Sequence, residues 1–472
     1  MVRILILLFL LVVAKESKTQ STEGEKFRPS FHYTPQKNRI GKLSGLVKLD
    51  DTYFLYFQKN MRNIEDAYYS LCQISSKDLI NWSDEQEVVR PGVQNEKLKE
   101  TIYTGSAIVD NNKRSSMSSE NPAILLYYTK LGEGVCMSYS NDKGQTWQEF
   151  ADNPIIPEKE NERIEHPYVF FDREGSNWYM SLSVVDNETK KRSLRILSTS
   201  NLTDFENAYN SDITCDKASI LSYVKSDNSI GWILINDNGS YQPIELDGSD
   251  IVTSGSLKWS DNGRSSSSPT FCEDAGVYKS LSLMDGNFLG MPFRGQLSLP
   301  VNINLQDRGA DVIMSQRPID ELSQLVSDTK EIKDKLVMPG GKNVFSGVKG
   351  VQLRIKGSVE MRSCNYFTIY TRVYRDMSLA QIVYEFENQK IVSSGNSADC
   401  PLPANKIVDF DIVIDKTSME VFANKGEAVL KSLVISEEEK ATDFIVTAKG
   451  GEAYIQSLLI MDISNNEQVR DK

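Results

Sequence analysis

From Leu46 onward the chain repeats one arrangement: an apolar stretch, a turn rich in Asp, Asn and Gly, then a second stretch dense in aromatic and β-branched residues. The second stretches are residues 52–57, 123–129, 178–185, 231–235 and 277–284. Short apolar runs bounded by turn residues read as β-strands, and helical spacing of apolar positions is nearly absent between them. Copies spaced roughly 45 to 70 residues apart match propeller blades of four short strands. The pattern predicts an all-β protein with a five-bladed β-propeller over residues 27–303.

A second repeated element follows the inner strands and closes on an aromatic residue. Ser140-Asn141-Asp142-Lys143-Gly144-Gln145-Thr146-Trp147 satisfies the Asp-box pattern, with relatives at 76–82 and 198–205. Asp and Gly there suit a tight turn, so these segments are expected to be structural. Between 304 and 343 the pattern changes, and apolar positions three and four apart at 319–326 predict a short turn or helix inside a linker. From 344 to 464 short alternating runs return at 351–355, 366–374, 407–414, 419–423 and 453–461, predicting a C-terminal β-sandwich. Residues 15–26 and 465–472 are polar ends.

The first 14 residues carry Arg3, an apolar run over 4–13 and a small residue at Ala14, the pattern of a secretory signal peptide. That run is shorter than the roughly 20 residues that span a bilayer, so a soluble, secreted, extracellular protein is expected. On that route the sequons at Asn81, Asn187, Asn201 and Asn238 become glycosylation candidates on the surface. The 6 cysteines are an even count without a Cys-x-x-Cys, which favours disulfides over metal ligation. Cys364 and Cys400, both in the sandwich, are the expected pair. A formal net charge of −12 disfavours nucleic acid and anionic membranes as partners. With 2 histidines in 472 residues, neither a metal site nor a cofactor is expected.

The segment Phe31-His32-Tyr33-Thr34-Pro35-Gln36-Lys37-Asn38-Arg39-Ile40-Gly41-Lys42-Leu43-Ser44-Gly45 resembles the opening signature of glycoside hydrolase family 32, the invertases, levanases and other β-fructosidases: His-x-x-Pro-x-x-x-Trp-Met-Asn-Asp-Pro-Asn-Gly. Tyr53-Phe54-Leu55-Tyr56-Phe57-Gln58 is similar to the family strand ending in a sugar-contacting glutamine, and Thr104-Gly105-Ser106-Ala107 to its Ser-Gly-Ser-Ala segment. Residues 293–300 and 415–424 resemble the family's exit from the last blade and its Asp-x-Ser-x-x-Glu-x-Phe strand. The resemblance runs from Phe27 to about Ile463 and implies a five-bladed propeller followed by a sandwich. It also implies a pocket that includes His32, Arg39, Gln58, Ser106 and Glu165.

The catalytic slots depart from the family. Lys42 stands in the nucleophile's place, and Glu165-His166-Pro167 replaces Arg-Asp-Pro, putting His166 in the slot of the aspartate that holds the fructosyl hydroxyls. Hydrophobic register puts Asp216 in the acid/base slot, while anchoring on Cys215 puts Thr214 there. The family's pocket tryptophans are replaced by Arg39 and Leu71, and all 5 tryptophans fall on strands or blade turns. Retaining hydrolysis needs two carboxyl groups across a cationic transition state. A lysine there opposes that charge, and the loss of one such contact costs on the order of 10² to 10³ in rate. The resemblance with these substitutions predicts a catalytically inactive homologue acting by binding or as an extracellular structural component. The alternatives are an active β-fructofuranosidase on sucrose or fructans and a carbohydrate-binding lectin. Arg39, Lys42 and His166 together suit an anionic small ligand, unless Glu165 and Asp216 neutralise Lys42; a carbohydrate ligand without hydrolysis rests on Gln58 and Ser106, and an extracellular protein partner is a further expectation.

Overall fold

A computed structural model describes residues 25–65, 68–94, 97–98, 102–173, 175–375 and 377–463. The expected signal peptide at 1–14, most of the polar segment 15–26 and the tail 465–472 lie outside the described residues. Among the described residues the helical elements are two 3₁₀ turns, Asp320–Leu325 and Asn424–Gly426; the rest of the regular structure is strand.

The N-terminal part is a β-propeller of antiparallel meanders. The first runs Asn38–Leu49, Thr52–Asn60, Tyr69–Ser76 and Gln86–Val89. The same order recurs from Ile102–Val109, from Glu162–Asp172 and from Ser219–Val224, and the last meander starts at Ser267–Asp274. The opening strands of successive meanders pack against one another around an axis. Second strands such as Thr52–Asn60 and Ile124–Lys130 are buried on both faces, since each sheet lies between two others. That double burial is why they read as continuous apolar runs rather than alternating ones. The ring closes where Phe293–Leu297 runs parallel to the start of the first strand, Phe293 opposite Asn38 and Arg294 opposite Arg39.

The three aromatic-ended turns share one construction. Asp78 accepts the Ile80 and Asn81 amides, Asp142 those of Gln145 and Thr146, and Asn201 those of Thr203 and Asp204, at 2.8 to 3.1 Å. Leu79, Lys143 and Leu202 occupy equivalent left-handed positions, with φ of 61°, 61° and 68°. These are turn-forming devices, as their composition predicts.

The segment 304–343, read as a linker, is largely regular structure. It completes the hairpin Val301–Arg308 with Asp311–Pro318, forms the 3₁₀ turn and then adds Asp328–Val337 to the sandwich. The sandwich stacks a six-stranded sheet, from Asp328–Val337 to Ala428–Leu433, on a five-stranded sheet around Tyr366–Tyr374. Leu353, Ile369, Phe410 and Val421 lie in its core. Val413, Phe422 and Val429 turn to the propeller, where they pack with Leu299, Ile303 and Met314.

All six cysteines are free and buried, which corrects the expected Cys364–Cys400 disulfide. Burial in the sandwich core raises the two thiols to about 11 and about 12, keeping both out of the thiolate form that forms disulfides. The sequons sit on turns and hairpin ends: Asn81 and Asn238 are exposed, Asn187 and Asn201 half-buried.

Candidate active site

Lys42 lies in the upper half of the first strand, where Gln58 pins the backbone. The Gln58 carbonyl accepts the Lys42 amide at 3.3 Å while its amide donates to the Ile102 carbonyl at 2.6 Å. The Lys42 ammonium reaches Asp237, 2.8 Å away. Asp237 sits on the tight turn between Ile230–Ile235 and Ser240–Asp247. That turn is closed by the Gly239 amide on the Asn236 carbonyl at 2.9 Å, and the Ser268 amide donates to the Asp237 carbonyl at 2.6 Å. A second lysine, Lys217, is 2 % exposed and donates to the Leu43 carbonyl at 2.7 Å.

His166 completes the funnel. It has a φ of 53° inside a register shift between Glu165 and Tyr168, a bulge that re-aims its side chain. Its Nδ1 lies 2.9 Å from the Thr104 hydroxyl, and its ring meets Tyr103 edge-on at 5.6 Å. Glu165 turns the other way, each oxygen held by a guanidinium: Arg163 at 2.7 Å and Arg192 at 2.6 Å.

The charges sort these groups by protonation state. Burial would raise the Asp237 carboxyl, but the ammonium groups of Lys42 and Lys217 outweigh it and hold Asp237 below its usual range. Burial, with Lys42 beside it, lowers Lys217 to about 8. Burial and the nearby Lys42 ammonium lower His166 to about 4, so its imidazole is neutral at pH 7. Glu165, despite burial, is held ionised by Arg192 first. At neutral pH the funnel therefore contains one ionised carboxylate that touches Lys42, one proton-carrying amine that titrates near neutrality and one neutral imidazole.

The expected pocket residues divide. Lys42, His166 and Gln58 are at the funnel. Arg39 lies at its rim and shares Asp285 with Arg294, at 2.8 and 2.9 Å. Glu165 borders the funnel but is turned to its two arginines. Ser106 sits further down the axis, accepting the Val169 amide at 2.9 Å. His32 is not in the funnel: it is buried at the domain interface between Asp415, 2.8 Å from Nδ1, and Glu420, 2.9 Å from Nε2. Asp216 does not face the funnel: it lies in the bend before Ser219–Val224, its side chain 55 % exposed and paired with Arg192, and Lys217 beside it points inward. Nor do Glu165 and Asp216 neutralise Lys42. Asp237 does, and sequence reasoning missed both it and Lys217; the turn Asn236-Asp237-Asn238-Gly239 and the lone cation heading the apolar run at 218–221 were their only signals. Among the described residues no cluster of three or more His, Cys, Asp or Glu could hold a metal, and no helix is long and apolar enough to cross a membrane.

The chain thus joins a propeller with an ionisable funnel at one end to a β-sandwich. The profile of the glycosyl hydrolases family 32 N-terminal domain matches residues 32–221, and that of the family 32 C-terminal domain residues 321–462. The chain belongs to glycoside hydrolase family 32. It is 24 % identical over 501 residues to a levanase of Bacillus subtilis, covering 96 % of this chain and 73 % of that protein. It is 24 % identical over 499 residues to an extracellular exo-inulinase of Aspergillus awamori, covering 88 % and 90 %. Its fold matches the crystal structure of the Aspergillus awamori exo-inulinase with a TM-score of 0.80 at 20 % identity, over 92 % of this chain and 98 % of that one. It matches the Schwanniomyces occidentalis β-fructofuranosidase in complex with fructosyl-erythritol with a TM-score of 0.76 at 17 % identity, over 92 % and 97 %.

These relatives correct the expectation of a catalytically inactive chain. Proteins that align with nearly all of it are named as fructan hydrolases. That expectation looked for carboxylates in the family's slots alone, whereas here a carboxylate reaches the funnel from the 236–239 turn.

Proposed function

We propose that this protein is a secreted β-fructosidase of family 32 that acts on terminal fructosyl units of levan- or inulin-type fructans. Its propeller is read as having five blades, opening on Asn38–Leu49, Ile102–Val109, Glu162–Asp172, Ser219–Val224 and Ser267–Asp274. The sequons at Asn81, Asn187, Asn201 and Asn238 are read as glycan carriers. The observation that carries the proposal is the pairing of an ionised Asp237 with a nearby amine, Lys217, lowered to about 8. An ionised carboxylate and an amine that titrates near pH 8 in one funnel supply the charge-stabilising group and the proton donor of such an assignment.

On this reading the fructosyl ring occupies the funnel. Asp237 faces the positive charge that develops at the anomeric carbon, and the Lys42 charge is already engaged by the same carboxylate. Lys217 gives its proton to the leaving oxygen as the carbon–oxygen bond breaks, and water adds to the sugar and returns a proton. His166, neutral, is placed to hydrogen-bond the sugar hydroxyls. Fructose release from levan, inulin and sucrose by the purified protein tests the proposal. Release that falls to background in Asp237→Asn and Lys217→Met supports it, and release unchanged by both variants removes these residues from the chemistry.

A second reading of the ligand has its own observation. The Lys217 ammonium is bonded to a backbone carbonyl, so the inner funnel carries two lysines to one carboxylate, Asp237. A sugar bearing a sulfate or phosphate group would balance that excess. Such sugars should raise the melting temperature, and Lys42→Glu should abolish the rise; a variant that responds like the parent excludes this reading.

A further inference from the structure

A second cavity lies away from Lys42 and Asp237. It lies on the same axis, lower down, and encloses about 310 Å³. Each opening strand of the propeller serves both places. Lys42, Thr104, His166, Lys217 and Ser268 mark the funnel end, whereas Gly45 to Lys48, Ser106 to Val109, Tyr168 to Phe171, Ile220 to Ser222 and Thr270 to Glu273 line the cavity. At about 3.3 Å per residue the marker residues of the two sites are roughly 7 to 20 Å apart along the strands.

The cavity's chemistry is specific. Its walls include Tyr168, Trp178, Trp232 and Tyr278, and its mouth carries the exposed ion pair of Arg173 with Glu273. Tyr278 shares a hydrogen bond with the Ser222 hydroxyl at 3.2 Å. The hydroxyls of Thr270 and Tyr168 make no hydrogen bond to another described residue, and the buried Trp178 Nε1 has no partner among the described residues. Buried donors are ordinarily paired, so the open Trp178 Nε1, with two free hydroxyls in the same aromatic-walled lining, marks where a ligand's own oxygens belong. Rings with apolar faces and hydroxyl edges, which stack on aromatics and exchange hydrogen bonds at their rims, are sugars. A volume of about 310 Å³ suits a ligand at the small end of such pockets.

We propose that this lower cavity is a second carbohydrate site, for a neutral sugar ring or chain end, separate from the funnel. It goes beyond the funnel chemistry and stands whether or not the funnel turns substrate over. In such a site Trp178 and Trp232 supply the faces, and Thr270 and Tyr168 supply the hydrogen bonds.

The test uses the full-length chain carrying Asp237→Asn, so that funnel turnover is suppressed, with 1-kestose as probe. Kestose should shift the tryptophan fluorescence and shield it from acrylamide quenching. Thr270→Val and Tyr168→Phe should each weaken that response about three- to tenfold, while fructose release in an otherwise unaltered chain stays the same. The proposal is overturned if kestose leaves the Asp237→Asn fluorescence unchanged. It is equally overturned if the two hydroxyl variants bind kestose like their parent, or if an apolar dye fills the cavity and kestose does not displace it. If a hydroxyl variant fails to fold, shielding in the Asp237→Asn chain still decides, since that measurement leaves the cavity intact.

Discussion

The two histidines of this chain are both buried, 6 % and 4 % exposed, and their surroundings push them in opposite directions. At the domain interface burial opposes the charge on His32, but hydrogen bonds to Asp415 and Glu420 outweigh it and raise the ring to about 9. In the funnel burial and Lys42 act together and lower His166 to about 4. Burial has the same sign in both, so the neighbours decide. At the interface each ring nitrogen of His32 faces a carboxylate, and Glu420 Oε1 also accepts the Leu299 amide at 2.8 Å while its Oε2 is buried without a partner among the described residues. Asp415 accepts the Ser30, Phe31 and His32 amides at 3.0, 3.3 and 3.4 Å as well as the ring, fixing the segment that leads to Lys42. In the funnel Asp237 Oδ1 is likewise buried without a partner among the described residues, but the neighbours are lysines, and Lys217 is held by one backbone carbonyl.

The contrast can be broken most severely at the interface. His32→Gln removes the cation and leaves Asp415 and Glu420 as two buried carboxylates without their partner, which should cost about 3–5 kcal/mol in urea unfolding. In the funnel, Asp237→Asn should lower fructose release on the order of 10² to 10³-fold, with a far smaller change in melting temperature. Acidity separates the two histidines without mutation. The raised His32 contributes stability that is fully present below pH 6.5 and lost as the pH climbs through about 9; the lowered His166 contributes stability present above pH 6.5 and lost as the pH falls through about 4. Melting temperature measured against pH should therefore fall on both sides, and His32→Gln should remove the alkaline limb alone. The smallest effect is expected for His166→Asn. Asparagine tolerates the φ of 53°, and a neutral ring is exchanged for a neutral amide, so about 1 kcal/mol is expected from the lost contact with Thr104.

Much of the architecture was legible in the sequence because it rests on local patterning. The second strands expected at 52–57, 123–129, 178–185, 231–235 and 277–284 are found at Thr52–Asn60, Ile124–Lys130, Asn177–Asp186, Ile230–Ile235 and Val277–Asn287. Lys42 and His166 were legible through motif position. The acid/base slot was read at Asp216; in the bend before Ser219–Val224 the Asp216 side chain turns to solvent and Arg192, and its neighbour Lys217 turns inward. Asp237 was illegible for a different reason. It enters the funnel from a turn nearly 200 residues beyond Lys42 in the chain, and nothing local to either residue encodes their approach. The tryptophans were assigned to blades, as they are, but Trp178 and Trp232 also wall the lower cavity, a role that belongs to the ring of sheets rather than to any one strand.

The most direct test of the central claim is the pH profile of fructose release from levan by the purified protein. Release is expected to hold while Asp237 is ionised and to decline as Lys217 loses its proton near pH 8, with the decline absent from the background left by Lys217→Met. A protein that releases no more fructose than the Asp237→Asn, Lys217→Met double variant at any pH from about 4 to 9 would contradict the claim.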